Sequence, residues 1–248
     1  MKDKIGLGVV TYNRPDYLKR CMNELEKNNW GGAQCVCVSD DASDDSAQRD
    51  VLRSLGSNGI NIIVADSNSG VAHSKNQAIK YLLEQECEHI FLIEDDILVK
   101  SPLVCAEYVS EAQISGLSHL NFAHHGKANK NGGSVKTLEN GYKVKVYPNS
   151  VGAFSYYSKE CLEKVGLMDE NFVNAWEHVE HTYRIANAGL TTPFWEFADH
   201  PNSKELLQEI EGSIDGSSIR PRKDWNQNII NGMNYWKKKH GSFILPRK

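Results

Sequence analysis

Four short apolar runs in the first hundred residues each break off into polar or acidic side chains, and this recurrence leaves few folds open to the chain. The runs are Ile5–Val10, Cys35–Val38, Ile60–Val64 and His89–Ile93. Between them lie stretches with helical spacing: Tyr17, Leu18, Cys21, Met22 and Leu25, then Val51–Leu55, then Val71–Leu83. Strand, helix, strand in units of roughly 25–30 residues is the rhythm of a mostly parallel sheet with right-handed crossovers. Parallel strands point the same way, so the residues that follow them gather along one edge. Those residues are Thr11 and Asn13, Asp40 and Asp41, Asp66 and Asn68, and finally Glu94, Asp95 and Asp96. Open α/β sheets bind ligands at that edge, which here is predicted to be a crevice rich in carboxylates.

The last of these strand ends is the most demanding. In HIFLIEDDILV, residues 89–99, four apolar residues run into three consecutive carboxylates before apolar residues resume at Ile97. Like charges this close repel, and beside an apolar wall they are costly unless something positive sits among them. A divalent cation answers that need, and hard oxygen ligands suit Mg2+ or Mn2+, both of which bridge phosphates. The competing explanation is an acidic strand-to-helix turn in which an Asp caps the next helix. No G-x-G-x-x-G follows the first strand and no G-x-x-x-x-G-K-[ST] occurs, which argues against dinucleotide and P-loop sites.

Length and composition bound the rest. At 248 residues, with 40% hydrophobic and 24% charged side chains, the chain is one large domain or two small ones with an ordinary core. Its six Cys form no C-x-x-C, and Cys35 and Cys37 share one face of a strand, so buried free thiols are expected rather than a disulfide or zinc framework. The N-terminus has no secretory pattern, and no apolar run approaches the ~20 residues of a membrane span. A cytoplasmic, soluble protein is the expectation. Net charge is −4, but residues 219–248 carry eight Lys and Arg against Asp224 alone, a surplus of seven positive charges that leaves −11 on the residues before them. A basic tail of that kind suits an anionic ligand, nucleic acid or a membrane surface, or is simply a solvated helix.

In the second half, a helix is expected from Pro102 to about Ile114, strands over Leu117–Ala123, Tyr142–Tyr147, Asn149–Tyr157 and Thr191–Phe197, and a helix over Trp225–Lys239. Ser158 is placed to cap a helix whose third residue is Cys161. Residues 126–141 are polar and rich in Gly, Asn and Lys, as in a mobile lid or a surface hairpin. Gly152-Ala153 is small enough to admit a ligand. Residues 176–181, WEHVEH, open a helix, and its Glu177 and Glu180 at i, i+3 share a face.

Taken in order, VVTYNRPDYLKRCMNEL, VSDDASDD, NSGVAHSKNQAI, FLIEDDILV, VGLMDENF and WEHVEHTYRIANAG resemble the GT-A glycosyltransferases, most closely glycosyltransferase family 2, over roughly residues 5–200. The resemblance implies an α/β GT-A fold, Rossmann-like, with a mostly parallel central sheet flanked by helices and a smaller acceptor-side subregion. It implies a nucleotide-sugar half over 1–100 and an acceptor half over 101–218; the basic helix and tail over 219–248 lie outside it. It further implies a nucleoside-diphosphate sugar donor, usually with uridine, a divalent metal (Mn2+ or Mg2+) and a hydroxyl acceptor. Matched to the family pattern, Thr11, Tyr12 and Arg14 line the nucleobase, and Asp40 and Asp41 contact base and ribose. Lys75 and Asn76 lie beside base and sugar. Glu94-Asp95-Asp96 stands at the D-x-D motif, with Glu94 and Asp96 on the metal and Asp95 on the donor, and His200 resembles a late metal ligand. Where relatives commonly carry Glu-Asp, with the Asp as base, this chain has Glu177-His178, so Glu177, His178 and Glu180 all stand as acceptor-side candidates. A sugar nucleotidyltransferase is disfavoured, because residues 11–17 have one Arg and no Gly where a triphosphate loop needs both. A binding module that lost its base, and an acceptor that is a glycan, a lipid-linked molecule or a nucleic acid, are further alternatives.

Overall fold

The computed structural model describes residues 3–124, 129, 132–213 and 216–242. The first half alternates as its apolar pattern demands: β1 (Ile5–Thr11), α1 (Pro15–Lys27), β2 (Cys35–Asp40), α2 (Ser46–Ser57), β3 (Asn61–Val64), α3 (Val71–Glu84) and β4 (His89–Glu94). There follow β5 (Ile97–Val99), α4 (Val104–Ser115), β6 (His119–Asn121), β7 (Ser134–Thr137), β8 (Lys143–Tyr147) and β9 (Phe154–Ser158). The remaining elements are α5 (Lys159–Val165), α6 (Glu177–Asn187), β10 (Phe197–Asp199), α7 (Ser203–Leu206), β11 (Leu207–Glu209) and α8 (Trp225–His240).

Among the described residues, the main sheet runs β3-β2-β1-β4-β9-β6. Its first four strands are parallel; β9 pairs antiparallel with β4 and β6, so the sheet is mixed but mostly parallel. Central strands are covered on both faces. Leu7, Val9, Phe91 and Ile93 join the cluster that also takes Leu18, Met22 and Tyr108, whereas Ile90 and Leu92 join Ala78, Leu82 and Cys161 on the other side. Burial on both faces is why these strands read as unbroken apolar runs rather than as an alternation. Gly8 in β1 has a packing reason: a Cβ there would stand 2.7 Å from that of Ala78, so glycine lets α3 press directly onto the sheet.

The register aligns the strand ends. Thr11 lies opposite Asp40, and Val10 opposite Glu94, so the polar residues do collect along one edge. Two strand expectations shift. The run over 149–157 becomes a strand only from Phe154; residues 149–153 instead arch over the acidic edge, where the Ala153 carbonyl accepts from the Glu94 N–H at 2.8 Å. The strand expected over 191–197 occupies Phe197–Asp199, because Pro193 and a turn in which the Glu196 N–H reaches the Pro193 carbonyl break the extended path before it. Of the polar stretch 126–141, residues 126–128, 130 and 131 lie outside the described residues, while Ser134–Thr137 forms a hairpin with β8. Ser158 caps α5 by accepting the Cys161 N–H, and all six cysteines are buried and free. Among the described residues, no helix is long and apolar enough to cross a membrane.

The C-terminal helix is built into the body of the protein. Trp236 is buried against Phe172, Tyr183 and Phe194. Gly232 passes so close to Trp176 that a Cβ would lie 2.5 Å from its Cδ1. Fully buried Glu180 accepts Lys239 at 2.8 Å and His240 at 3.1 Å, and Lys239 also reaches Asp169 at 2.6 Å. Lys239 and His240 are thereby tied into the fold, whereas Lys223, Lys237 and Lys238 are exposed.

Two core histidines make the fold acid-sensitive. His119 is fully buried, bonded to the Tyr156 carbonyl and the Thr182 hydroxyl and stacked on Tyr157, and burial lowers its pKa to about 4. His181 bonds the Gly166 carbonyl, and burial, reinforced by Arg184, lowers its pKa to about 3. Both are neutral in the fold, while the unfolded chain takes up protons below its ordinary histidine pKa. Their stabilising contribution is thus complete above pH ~6.5 and is lost progressively toward pH 4 and 3. Between pH 7.5 and 5, each should cost about 2 kcal/mol, while buried Asp95 and Asp199, whose pKa values burial raises to about 7, contribute in the opposite sense. The histidines' share, about 4 kcal/mol, is the difference between the wild type and a His119→Gln/His181→Gln variant in the change of urea-derived unfolding free energy over that interval, and equal changes in the two proteins would show that the imidazoles protonate inside the fold.

Candidate active site

The acidic edge is neutralised first by the chain's own cations. Arg14, on the loop after β1, lies 3.0 Å from Asp95 and 3.3 Å from Asp96, with its guanidinium 4.2 Å above the Tyr17 ring. Lys75, buried in α3, donates to Glu94 Oε1 at 2.7 Å and to the Gly152 carbonyl at 2.9 Å. Burial alone would discharge this ammonium, but Glu94 and Glu177 outweigh it and hold the pKa above the ordinary lysine value. Asp95 is buried and receives the Thr11 hydroxyl at 2.6 Å; burial, opposed by Arg14 and assisted by Asp96, pushes its pKa up to about 7.

Two adjoining hollows open over this edge. A tight one of about 60 Å3 is walled by Thr11, Tyr12, Arg14, Asp41, Asn68 and Ser74, and covered by Ser218, Ile219 and Arg222. A larger cleft of about 660 Å3 holds Arg14, Glu94, Asp96, Gly152, Glu177, His178, Glu209 and Trp225. Thr11, Tyr12, Arg14, Asp41 and Asp95 therefore meet at the first hollow. Asp40 does not line either: its carboxylate is taken up behind the wall by Ser43 and Gln48. Asn76 is likewise turned inward, bonded to Met168 and Glu170. Ser74, not singled out from the sequence, has a buried hydroxyl without a hydrogen-bond partner at the first hollow. Its position one residue before Lys75 on the same helix was the only available signal.

Across the large cleft, α6 begins at Glu177 after Trp176, whose φ of 73° turns the chain sharply into the helix. His178 Nδ1 lies 2.9 Å from Glu177 Oε1. Burial would raise the Glu177 pKa, but His178 and Lys75 prevail and lower it, so Glu177 is ionised. A Cβ on Gly152 would stand 2.9 Å from His178 Cγ and 3.0 Å from Lys75 Nζ, so the glycine leaves room for both side chains. Glu180 is not part of this group. It points to the other side of α6, where Arg184, Lys239 and His240 hold it.

His200 is also elsewhere. Strand β10 pairs with β8 and carries His200 against α4, 3.6 Å from Glu107 and beside the Tyr108 ring, outside both hollows. Glu209 lines the same cleft as Glu94 and Asp96, its Oε1 accepting the Ser213 hydroxyl at 2.8 Å. Strand β11 runs antiparallel to β5 with Glu209 opposite Ile97, and the Ile210 N–H donates to the Asp96 carbonyl at 2.7 Å. No local motif announces Glu209, because a pairing across more than a hundred residues delivers it. Glu94, Asp96 and Glu209 offer only oxygen donors, the chemistry of a hard cation. Among the described residues, no three His, Cys, Asp or Glu side chains already stand in a ligating arrangement, and Arg14 faces Asp96.

Comparison with known proteins accords with this geometry. Residues 7–113 match the model of glycosyl transferase family 2. The dTDP-rhamnosyl transferase RfbF of Shigella flexneri is 25% identical over 208 residues, covering 77% of this chain and 66% of that protein. Among solved structures, Staphylococcus aureus TarS (residues 1–349) in complex with UDP superposes with a TM-score of 0.55 at 17% identity, over 74% of this chain and 55% of that one. The chain is a GT-A-fold protein resembling glycosyl transferase family 2. The mannosyltransferase PcManGT of Pyrobaculum calidifontis, in complex with GDP-Man and Mn2+, has a TM-score of 0.55 at 16% identity, over 78% of this chain and 55% of its own. The chain thus spans less than two thirds of each of these proteins. Within this GT-A frame the family match carries the crevice edge as far as α4, whereas Glu177, His178, Glu209 and Trp225 lie beyond it.

Proposed function

We propose that this chain transfers a sugar from a nucleoside-diphosphate donor to a hydroxyl group of an acceptor, with a divalent cation at Glu94, Asp96 and Glu209. The observation that carries the proposal is one large cleft lined both by those three carboxylates and by the Glu177–His178 pair. The match of residues 7–113 to the family model and the UDP- and GDP-Man-bound neighbours support it.

The donor's nucleoside belongs in the tight hollow, with Thr11, Tyr12, Arg14 and Asp41 as its contacts and Asp40 and Asn76 bracing the loops behind. Lys75 and Arg14 bring positive charge to the diphosphate. A bound Mn2+ or Mg2+ would neutralise charge that builds on the departing nucleoside diphosphate. On the acceptor side, Glu177 holds His178 through Nδ1, so the neutral ring presents its Nε2 lone pair to the acceptor hydroxyl. His178 takes that proton as the hydroxyl oxygen bonds to the anomeric carbon, and the ionised Glu177 stabilises the resulting imidazolium. Neither Glu180 nor His200 has a part in this scheme, since both are engaged elsewhere.

A thermal-shift panel of UDP-, GDP- and dTDP-sugars, each with and without Mn2+, tests the proposal. One donor should raise the melting temperature only when the metal is present, and at a hundredfold excess over its Kd the stabilisation is about 2.7 kcal/mol. No shift with any donor under either condition would overturn it. UDP-sugars head the panel because UDP occupies the TarS neighbour.

A further inference from the structure

Trp225 is the first residue of α8 and stands half-buried in the wall of the large cleft that holds Glu177 and His178. It does not line the tight hollow of Thr11, Tyr12 and Asp41. We propose that Trp225 is the stacking platform of an acceptor site for carbohydrate, so that the hydroxyl accepting the transferred sugar is itself a sugar hydroxyl. The proposal deepens the glycosyl-transfer reading and rests on it for the word acceptor, though not for the binding of carbohydrate.

Three observations carry it. The first is placement. The Trp176 indole N–H donates to the Ile229 carbonyl at 3.1 Å, one helical turn beyond Trp225, and Gly232, where a Cβ would stand 2.5 Å from Trp176 Cδ1, lets the same indole approach α8 closely. Trp176 is followed directly by Glu177 and His178, so the residue that pins the start of α8 also leads into the proposed base. Platform and base are thereby held on rigid, mutually braced elements, as a site needing fixed geometry requires. The second is chemistry. The same cleft also offers neutral hydrogen-bonding groups from Asn149, Ser150, Ser217 and Ser218. An aromatic side chain sharing a cleft with an amide and several hydroxyls suits a ligand with an apolar C–H face and many hydroxyls.

The third observation is charge. An indole also stacks nucleobases, but nucleic-acid sites join their aromatics to a basic groove. Here the cleft carries Glu94, Asp96, Glu177 and Glu209 against Arg14 and Arg220. Of the nearby tail, Lys239 and His240 are committed to Asp169 and Glu180 and Arg222 lies 3.3 Å from Asp224, while exposed Lys223, Lys237 and Lys238 do not line the cleft. A phosphodiester chain would therefore bring negative charge into an acidic cleft, while a neutral oligosaccharide would not.

The experiment is direct binding of the full chain to a printed array of neutral oligosaccharides, with poly-uridine RNA and phosphatidylglycerol vesicles as parallel probes. The wild type should bind at least one oligosaccharide saturably and neither RNA nor vesicles. Trp225→Ala should weaken that binding roughly tenfold or more, in line with the loss of one stacking contact, while Trp225→Tyr should stay within about threefold. An unchanged melting temperature and an unchanged donor-induced thermal shift in both variants separate the effect from misfolding. Equal binding by wild type and Trp225→Ala, no oligosaccharide binding, or preferential binding of RNA or vesicles would each overturn the proposal. If the wild type binds oligosaccharide through Trp225 but shows no donor shift, glycosyl transfer falls and the platform stands.

Discussion

Asp96→Asn is expected to lower sugar transfer by roughly 10^2–10^3-fold while leaving the melting temperature unchanged or slightly raised. The carboxylate is the member of the acidic edge proposed to meet the cation, and loss of one group that stabilises developing charge typically costs 10^2–10^3-fold. The fold does not need it. Asp95 keeps Arg14 at 3.0 Å after Asp96 is neutralised, and one source of the repulsion that raises the Asp95 pKa disappears. A site that concentrates like charge trades stability for function. Transfer and melting temperature measured on the same preparation decide the matter. Retained transfer would sink the role of Asp96, and a melting temperature lower by many degrees would show that its charge is structural.

Lys75→Met should have the largest effect on stability. The ammonium is buried between Glu94 and Glu177, and methionine keeps the unbranched shape while removing the charge and both hydrogen bonds. Glu94, whose side chain is 31% exposed, can turn to water; Glu177 is buried and would be left with His178 as its compensation. Breaking a buried pair by removing one partner costs about 3–5 kcal/mol, and the exposure of Glu94 argues for the lower end. About 3 kcal/mol corresponds to a fall of about 6–12 °C in the melting temperature of a chain this size. Transfer should be lost as well, since Lys75 supports the Gly152 turn against which His178 rests. Adding Glu94→Gln should recover part of the stability, because the two sites share one interaction. If Lys75→Met melts like the wild type, the ammonium does not compensate these carboxylates.

The two variants probe different layers of what can be read from residue order. Asp96 was legible: an apolar run that ends in three acids places those acids at a strand's end whatever the rest of the chain does, and parallel alternation brings strand ends together. Thr11, Arg14 and Asp41 follow by the same local logic. Neighbours in space were harder. Glu177 and Glu180 have the right spacing for one helix face, yet they diverge, because His178 and Lys75 draw one toward the cleft while Arg184, Lys239 and His240 draw the other into the body. Asn76 sits beside Lys75 in the chain but a helix turns it about 100° away, onto Met168 and Glu170. His200 follows a strand, as a late ligand should, but that strand pairs with β8 and faces α4.

Residue order alone thus determined the parallel α/β scaffold, its carboxylate edge and the candidates for chemistry, because period and strand-end polarity are local properties that survive any packing of the remainder. Tertiary structure alone decided which candidates meet. It brought Glu209 to the cleft of Asp96 through an antiparallel pairing, set Arg14 and Lys75 among the acids, and folded the C-terminal helix back so that Lys239 pairs with Asp169 and Glu180 and Trp225 joins the cleft. The physical reason is that buried charges must find partners, and which partners are within reach depends on contacts between segments far apart in the chain.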